Sequence, residues 1–511
     1  MFAVNPVGEK YISGDRRVIS VLRCESALSP GFLLQVSSGV ANQYVKPVHG
    51  RLPVPEKILL ISVNQCSTPY PVYPLGMSHV AASLLRYGHE VTLADLRYDD
   101  ERIGQIVAEV QPRFIGLSLR NIDDQRIDET VYFVPALLTA AQRLRQLSDA
   151  PVILGGSAYS LFPEELLAQS GADYGIAGEG DEAMPQLISL LAKGERDASA
   201  LSSVPGLVYR EQGVVRRNSA QTVAGSDILP SYRSETLFNA YLEESGVANL
   251  QTQRGCPFSC CYCTYPLIEG SMVRRRDPLA VAGEVAALEA KGANYFFIVD
   301  SVFNIDNNHV AAVCEALLQK GVTATWGCFL QPKGIDHELM ALMARAGLRH
   351  IEFGTDSLCD EVLSAYGKQF TVDDVVAVDN IADSCGVRHA HFLICGGPGE
   401  TEATLEKAFE NSTRLKKTAI FPYIGMRLYP QTALYRHALA EGVIAGSTDL
   451  LRPFFYVTNT VRKERIAELL ESFHRRAPRW VIKDPSPEQL NVIRRLRAKQ
   501  VMGPLWEFLA Q

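Results

Sequence analysis

Four cysteines lie close together in the stretch 254–263, which reads Arg-Gly-Cys-Pro-Phe-Ser-Cys-Cys-Tyr-Cys. Cys256, Cys260 and Cys263 have the spacing C-x3-C-x2-C, which places three thiols on one tight loop. Structural zinc sites are closed by four ligands, and an ordinary [4Fe–4S] cluster takes four thiolates. A [4Fe–4S] cubane that is held by only three cysteines has one iron with an open coordination position. The loop therefore predicts a metal or cluster site that can hold a further ligand.

Cys261 is the cysteine of this loop that falls outside the spacing. Adjacent side chains diverge, so we interpret Cys261 as a bystander and not as a fourth ligand. The alternative is a zinc knuckle that uses Cys261 or a distant cysteine. The sequence has no second C-x2-C pair and no H-x3–5-H pair to complete such a site, which favours the cluster.

The three-cysteine spacing, with an aromatic residue directly before the last cysteine, resembles the signature of radical S-adenosylmethionine (radical SAM) enzymes. In that family the open iron chelates the methionyl amine and carboxylate of SAM, and one electron cleaves SAM to methionine and a 5′-deoxyadenosyl radical. The resemblance implies that Cys256, Cys260 and Cys263 hold the cluster and that Tyr262 lies against the adenine. It also implies a one-electron donor such as flavodoxin or ferredoxin.

The overall composition is that of a globular protein. A chain of 511 residues is too long for one ordinary core and suggests two domains plus smaller pieces. The net charge of −7 gives no general attraction to nucleic acid, and no apolar run is long enough to span a bilayer. Most of the eleven cysteines stand singly, as in a reducing compartment. We therefore expect a cytoplasmic enzyme with no transmembrane segment and no nucleic-acid partner.

Short apolar runs alternate with helical segments over residues 57–195, which predicts a doubly wound parallel α/β sheet. Residues 1–56 show no sustained periodicity and are predicted to be an N-terminal extension without an assigned role. Neither G-x-G-x-x-G nor G-x4-G-K-[ST] follows the first strand, which disfavours a dinucleotide or nucleoside triphosphate fold. The predicted strands are residues 58–63, 90–93, 114–119 and 152–154.

Ligands of such sheets bind at the carboxyl ends of the strands. The arrangement of this sheet, the loop 70–76 and the glycines after its later strands resemble the cobalamin-binding domain of the B12-dependent radical SAM family. Classical cobalamin domains carry D-x-H-x-x-G after the first strand, whereas this chain begins there with Asn64-Gln65-Cys66, so no histidine ligand is expected from the loop. Many members of the radical SAM family also lack this motif, so its loss does not exclude cobalamin. The alternative is a sheet that binds no corrin. The implied cobalamin contacts are Ser118, Arg120, Gly155, Gly156, Ser157, Gly178 and Gly180.

In residues 247–445, N-cap residues and glycines recur in the order expected for the beginnings and ends of helices, and candidate strands lie between these helices. Six strand–helix units predict a (β/α)6 partial TIM barrel, whose sites lie at the carboxyl ends of the strands. Residues 196–246 are predicted as a connector and residues 446–511 as a C-terminal helical region. The N-cap and glycine pairs are Asp277 with Gly292, Asp306 with Gly321, Asp336 with Gly347, and Thr371 with Gly386.

By the same resemblance, Asp300 and Ser301 take the place of the segment that contacts the SAM amine. Asp356 stands where the family often has glutamate and suits the charged or hydroxylated parts of SAM. A turn that resembles G-x-P-G-E-T approaches the adenosine by its backbone. For the aspartates the alternative is helix capping or a salt bridge at the barrel rim, and for the turn it is simple strand–helix geometry. The glycines of this turn are Gly396, Gly397 and Gly399.

These features together imply a radical SAM enzyme of the cobalamin-domain type that methylates a carbon of a small-molecule or lipid-like substrate, such as a lipid, tetrapyrrole or natural-product precursor. One alternative is a cobalamin-independent radical SAM enzyme, either methylthiotransferase-like or an oxidative cyclase. A methylthiotransferase would want three more cysteines in its N-terminal domain, and the predicted sheet has only Cys66. The other alternative is a non-catalytic cobalamin or iron–sulfur sensor, which would not need the SAM-contacting loops.

Overall fold

The computed structural model describes residues 54–67, 70–483, 485–499 and 501–508. The predicted extension, residues 1–56, lies outside them except for its last three residues. The described residues belong to one compact unit, and its two large hydrophobic cores each take side chains from both halves of the chain.

The strands of the first sheet are short and apolar because both faces of the sheet are buried. Residues 58–61 of its first strand, for example, are at most 3% exposed. The strand order is β2-β1-β3-β4-β5-β6-β7, and the first five strands are parallel. This order reverses between β1 and β3, where ligands of doubly wound sheets bind. The strands are β1 (Lys57–Ser62), β2 (Glu90–Asp95), β3 (Phe114–Ser118), β4 (Val152–Gly155), β5 (Tyr174–Ile176), β6 (Leu207–Glu211) and β7 (Val214–Arg217). The helices are α1 (Leu75–Arg86), α2 (Leu96–Asp99), α3 (Ile103–Val110), α4 (Val134–Leu147), α5 (Pro163–Ser170), α6 (Gly180–Ala192) and α7 (Ala198–Leu201).

The last two strands of this sheet come from the segment predicted as a connector. β6 and β7 form a hairpin around Gln212 and Gly213, whose φ angles of 50° and 83° suit a tight two-residue turn. The hairpin adds antiparallel to β5, so the sheet is mixed at this edge. The turn is a local signal, but the pairing with β5 depends on residues more than thirty positions away.

The second sheet has six parallel strands in the order β15-β14-β13-β12-β11-β8, which agrees with the six predicted strands. Asp277, Asp306 and Asp336 cap their helices by accepting backbone N–H bonds, and Thr371 forms a capping box. The strands are β8 (Ala248–Leu250), β11 (Tyr295–Ile298), β12 (Thr325–Leu330), β13 (Leu348–Asp356), β14 (Arg388–Cys395) and β15 (Ala419–Ile424), and a hairpin of β9 (Gln253–Arg254) with β10 (Arg274–Arg275) follows β8. The helices are α8 (Glu235–Ser245), α9 (Tyr265–Ile268), α10 (Pro278–Glu289), α11 (Asn307–Lys320), α12 (His337–Arg345), α13 (Asp360–Ala365), α14 (Val372–Ser384) and α15 (Glu402–Ser412).

The described residues after β15 form one small antiparallel pair of strands, β16 with β17, and three α-helices. Two of these helices, α17 and α18, lie within residues 446–511, the region predicted to be helical. None of the helices in the described residues has the length and apolar character needed to cross a membrane. The elements are β16 (Met426–Arg427), α16 (Ala433–Ala440), β17 (Phe455–Tyr456), α17 (Lys463–Arg476) and α18 (Pro487–Ala498).

A buried ion pair joins the loop after β3 to the end of the second sheet. The guanidinium of Arg427 lies 2.7 Å from Asp123, and the two side chains are 2% and 0% exposed. Arg427 also donates to the carbonyls of Leu428 and Leu450. A buried charge without its partner carries a large desolvation penalty, so this pair ties the two sheets together.

Changing Asp123 to Ala should therefore lower the free energy of unfolding by about 3 kcal/mol, because Arg427 keeps its charge in a buried position. Urea unfolding followed by circular dichroism measures this change. The matched control is Asp100→Ala, which removes an exposed partner of Arg143 and should change stability by less than about 1 kcal/mol. Equal effects of the two substitutions would contradict this assignment.

Candidate cofactor site

The cysteine loop runs from β9 to α9, and backbone hydrogen bonds fix its shape. Cys256 N donates to Gly270 O at 3.1 Å, and Cys263 N donates to Cys260 O at 3.1 Å. Gly255 precedes the loop with a φ of 90°, and a Cβ there would lie 2.1 Å from the carbonyl oxygen of Met272. Glycine is therefore required at the entrance to the loop.

Cys261 differs from the other three cysteines of the loop in its surroundings. It is 9% exposed and belongs to the hydrophobic core, and burial raises the pKa of its thiol to about 12. Its N–H donates to Tyr366 O, and its carbonyl accepts from Leu434 N. This placement agrees with the bystander interpretation.

The spacing of the remaining three thiols can be compared with the sulfur spacing that a zinc site and a cubane require. Four sulfurs around one zinc at about 2.3 Å lie about 3.8 Å apart. Among the described residues, the cysteines of the loop form no group of three ligand atoms within 4.8 Å. A cubane binds its cysteines at separate iron corners and takes sulfurs that stand further apart. Cys256, Cys260 and Cys263 therefore fit a [4Fe–4S] cluster better than a single zinc ion.

Lys368 lies beside the cysteine loop. The Lys368 ammonium lies 2.6 Å from Asp356 Oδ2, and this same oxygen accepts from Tyr262 Oη at 2.5 Å. Burial acts to lower the pKa of Lys368, but Asp356 and the Cys260 thiol outweigh it, and the pKa lies above its ordinary value. The structure thus brings Asp356 against Tyr262, a residue of the cluster loop. Asp356 has a φ of 63°, so its backbone is held in the left-handed region.

Asp300 and Ser301 hold the chain that leads into the loop. Asp300 is fully buried and accepts from the backbone N–H of Thr252 at 2.7 Å and from its hydroxyl at 2.5 Å. Burial raises the pKa of Asp300 to about 7. Ser301 Oγ donates to Gly255 O at 3.2 Å. Both residues therefore adjoin the cluster loop, and their contact with SAM stays a prediction.

The turn after β14, which contains Gly396, Gly397 and Gly399, packs tightly against neighbouring side chains. Gly397 N donates to Tyr366 Oη at 3.0 Å, and a Cβ on Gly397 would lie 2.4 Å from that ring. Gly396 N donates to Glu400, whose pKa burial raises to about 7. Gly396 and Gly399 have φ angles of 93° and 80°. This close packing explains the glycines, and an approach of their backbone to adenosine stays a prediction.

All seven predicted cobalamin contacts line one cavity of about 400 Å³, a volume within the usual range of ligand sites. The same cavity is also lined by Tyr265 and Glu269, which follow the last cluster cysteine in the chain. Glu269 also accepts from Gly255 N at 3.1 Å, so one carboxylate joins the cavity wall to the cluster loop. The seven residues are Ser118, Arg120, Gly155, Gly156, Ser157, Gly178 and Gly180.

Gly155, the last residue of β4, and Gly156, which follows it, differ in whether a side chain would fit. Gly156 has a φ of 103°, and a Cβ there would lie 2.3 Å from Leu119 O, so the turn itself requires glycine. A Cβ on Gly155 would meet nothing closer than Ile176 O at 4.0 Å. The absent side chain of Gly155 therefore leaves open space at the cavity.

Two buried acceptors at the cavity support a ligand that donates hydrogen bonds. Asn64 and Asn121 line the cavity, and the Oδ1 atom of each is buried with no partner among the described residues. A corrin carries amide side chains whose N–H groups can supply such bonds. The cavity residues thus fit cobalamin, with Asn64 at the start of the segment where D-x-H-x-x-G would stand.

A salt bridge holds the cavity against the cluster loop. Arg254 donates to both carboxylate oxygens of Asp181, at 2.9 and 3.1 Å, and Arg274 binds Glu179 at 2.6 Å. Burial acts to raise the pKa of Asp181, but the Arg254 guanidinium outweighs it, and the pKa lies below its ordinary value. Sequence reasoning missed Asp181, Glu179 and Lys368, because nothing local shows which distant side chains they meet.

Asp379, His389 and His391 bring three ligand atoms within 4.8 Å of one another. Asp379 Oδ1 accepts from both imidazoles at 2.8 and 3.3 Å, and its Oδ2 accepts from Lys416 N. The other ring nitrogens lie 3.0 Å from Val387 O and 2.7 Å from the Thr355 hydroxyl. Every nitrogen and oxygen of this group is satisfied by the protein, so it is a buried hydrogen-bond network between α14 and β14.

Comparison with known proteins places these features in a family. The B12 binding domain model matches residues 62–188, and the Radical SAM superfamily model matches residues 250–411. Tryptophan 2-C-methyltransferase of Streptomyces laurentii is 26% identical over 451 residues, which cover 75% of this chain and 74% of that protein. Cytidylyl-2-hydroxyethylphosphonate methyltransferase of Streptomyces wedmorensis is 24% identical and covers 82% of this chain and 89% of its own length.

A solved structure shows the same fold. TsrM from Kitasatospora setae, a radical S-adenosylmethionine methyltransferase with cobalamin and a [4Fe-4S] cluster bound, superposes with a TM-score of 0.73 at 20% identity. The alignment covers 84% of this chain and 90% of TsrM. With both domain models matched and residues on either side of the cysteine loop lining the cavity, the chain belongs to the radical SAM enzymes that carry an N-terminal B12-binding domain, a family that uses a [4Fe–4S] cluster, SAM and cobalamin.

Proposed function

We propose that this chain is a cobalamin-dependent methyltransferase that adds a methyl group to a carbon of a small organic molecule. The observation that carries the proposal is the shared cavity, which is lined both by the predicted cobalamin contacts and by the residues directly after Cys263. When bound, the cluster supplies an electron, SAM supplies the methyl group or the radical, and cobalamin carries the methyl group. The relatives support a small substrate, since they are named for tryptophan and for a phosphonate.

The residues of the chain position these groups and exclude water. Glu269 and the pair of Arg254 with Asp181 fix the cluster loop against the cavity. Lys368 keeps a positive charge beside the thiols of Cys260 and Cys263. This division of work is usual for cofactor enzymes, in which the protein orients reactive groups supplied by the cofactors.

The proposal is tested with the full-length chain, purified without oxygen and loaded with iron, sulfide and cobalamin. With SAM and a reductant, mass spectrometry should detect S-adenosylhomocysteine in an amount that depends on bound cobalamin. In the variant Gly155→Leu the new side chain occupies the cavity, so cobalamin binding and S-adenosylhomocysteine should fall at least about tenfold while the iron content stays unchanged.

The matched control for this variant is Gly446→Leu, which adds the same side chain in open space and does not line the cavity. Release of 5′-deoxyadenosine without S-adenosylhomocysteine would refute methyl transfer and favour cyclisation. Full product formation without cobalamin would refute the role of the cavity.

Replacement of Cys256, Cys260 or Cys263 by alanine should remove the cluster, because two thiolates cannot hold the cubane. Iron should fall from about four per chain to near zero, together with the visible absorption of the cluster. Cys261→Ala is the matched control and should keep its iron, since this thiol lies in the hydrophobic core. Loss of iron in Cys261→Ala alone would show that the loop uses a different set of ligands.

Lys368→Met should lower the reduction potential of the cluster, because the ammonium favours the added electron and Asp356 would be left unpaired beside the thiols. The expected decrease is on the order of 50–100 mV, measured by redox titration with electron paramagnetic resonance. Lys407→Met removes an exposed lysine paired with Glu361 and should leave the potential unchanged. An unchanged reduction potential in Lys368→Met would show that the ammonium has no electrostatic effect on the cluster.

A further inference from the structure

β13 contains a bulge just before Asp356. Along β13 the chain advances three residues between Phe353 and Asp356. Their partners on β14, His391 and Leu393, are only two residues apart. An extra residue of this kind bends its strand and changes the direction of the side chains that follow. The φ of 63° at Asp356 is rare for a residue other than glycine, so neighbouring groups must hold this backbone in place.

Lys368 binds the residues on either side of Thr355, the middle residue of the bulge. Its ammonium donates to Gly354 O at 3.2 Å and lies 2.6 Å from Asp356 Oδ2. The same carboxylate oxygen accepts from Tyr262 Oη of the cluster loop. The position of the Asp356 carboxylate beside this loop therefore depends on the shape of the bulge.

His391 binds the side chain of Thr355. The Thr355 hydroxyl lies 2.7 Å from His391 Nδ1, and both residues are fully buried. The imidazole ring stacks on Phe353, with the two ring centres 5.0 Å apart and the planes at 20°. This stacking fixes the plane of the imidazole and leaves Nδ1 directed at the bulge.

The groups around Asp379 determine where the hydrogens of this network lie. Val387 O can only accept, so His389 Nδ1 carries a hydrogen, and His389 Nε2 carries another that it donates to Asp379 Oδ1 at 2.8 Å. His389 is therefore an imidazolium. Burial acts to lower the pKa of His389, but the hydrogen bond to Asp379 outweighs burial, and the pKa lies above its ordinary value.

His391 is the neutral member of the histidine pair. Burial lowers its pKa below the ordinary value, and the charge of His389 acts in the same direction. Its Nε2 donates to Asp379 Oδ1 at 3.3 Å, so the lone pair of its Nδ1 accepts from the Thr355 hydroxyl. Asp379 thus orients the imidazole so that an acceptor faces Thr355.

We propose that His391 is a positioning residue of the cofactor site. It accepts from the Thr355 hydroxyl and thereby fixes the bulge that holds Asp356 beside the cluster loop. When this hydrogen bond is lost, the bulge relaxes and the negative charge of Asp356 moves away from the thiols. The inference requires the [4Fe–4S] cluster of this family and not methyl transfer, so it goes beyond the proposed function.

Two substitutions of His391 separate this role from general structural support. The side-chain oxygen of His391→Asn takes the place of Nδ1 and accepts from Thr355, whereas the amide nitrogen of His391→Gln takes the place of Nε2 and donates to Asp379. His391→Gln should raise the reduction potential of the cluster, because a negative charge has moved away from it. His391→Asn should keep the potential of the unaltered protein. Redox titration of the full-length, cluster-loaded chain with electron paramagnetic resonance measures both.

Two further variants complete this experiment. Thr355→Val removes the same hydrogen bond with little change in shape and should raise the potential as His391→Gln does. His389→Gln is the matched control, because His389 shares the contact with Asp379 but its other ring nitrogen bonds Val387 O. Circular dichroism and iron content verify that each variant is folded and loaded. An unchanged or lower potential in His391→Gln or Thr355→Val, or an equal shift in His389→Gln, would overturn the proposal.

A double-mutant cycle tests whether His391 acts through Asp356. Asp356→Asn removes the negative charge itself and should also raise the potential. In the presence of Asp356→Asn, His391→Gln should cause no further shift, because the charge that it displaces is already gone. Additive shifts would show that His391 acts on the cluster by another route and would contradict the assignment.

These titrations are separable from the test of methyl transfer, because they require no cleavage of SAM and no methyl acceptor. The expected shifts in a chain that forms no S-adenosylhomocysteine would refute the proposed function and leave the role of His391 in place. Formation of S-adenosylhomocysteine without these shifts would refute the role of His391 alone.

Discussion

The buried pairing of Arg254 with Asp181 is the contact on which the arrangement of the site depends. Arg254 is the residue directly before the cysteine loop, and Asp181 lies in the first turn of α6, where the helix dipole favours a negative charge. The side chains of the pair are 6% and 8% exposed, so separation would leave two charges uncompensated in the protein interior. Arg274 with Glu179 repeats this connection one strand away. The cluster loop and the cavity of the first sheet are therefore held in a single relative position.

Around this contact, most acidic groups of the site are used to hold loops in place. Asp300 binds the backbone before the cluster loop, and Glu269 binds the amide of Gly255. Asp356 joins Tyr262 to Lys368. Because buried carboxylates need partners, these contacts give the loops one conformation before any cofactor binds.

Much of the fold follows from local signals in the sequence. The six strands of the second sheet and the caps at Asp277, Asp306 and Asp336 are found where the sequence predicts them, because apolar runs and N-cap residues act over a few positions. The pairing of β6 with β5 is different. The hairpin turn is encoded locally, but its place at the edge of the sheet depends on how the crossing helices pack. The same limit applies to Lys368, which meets Asp356 only after α13 turns the chain back.

The cysteine spacing, the order of strands and helices, and the glycines at the strand ends are set by the sequence alone, since each depends on covalent distance and backbone conformation. The tertiary structure decides which groups face each other. It buries Cys261 in the core, commits Asp300 to the backbone of Thr252, and brings Trp506 to Glu352 across more than 150 residues. These outcomes require side chains from distant segments to pack together, and no local pattern specifies them because their partners are fixed only when both sheets are in place.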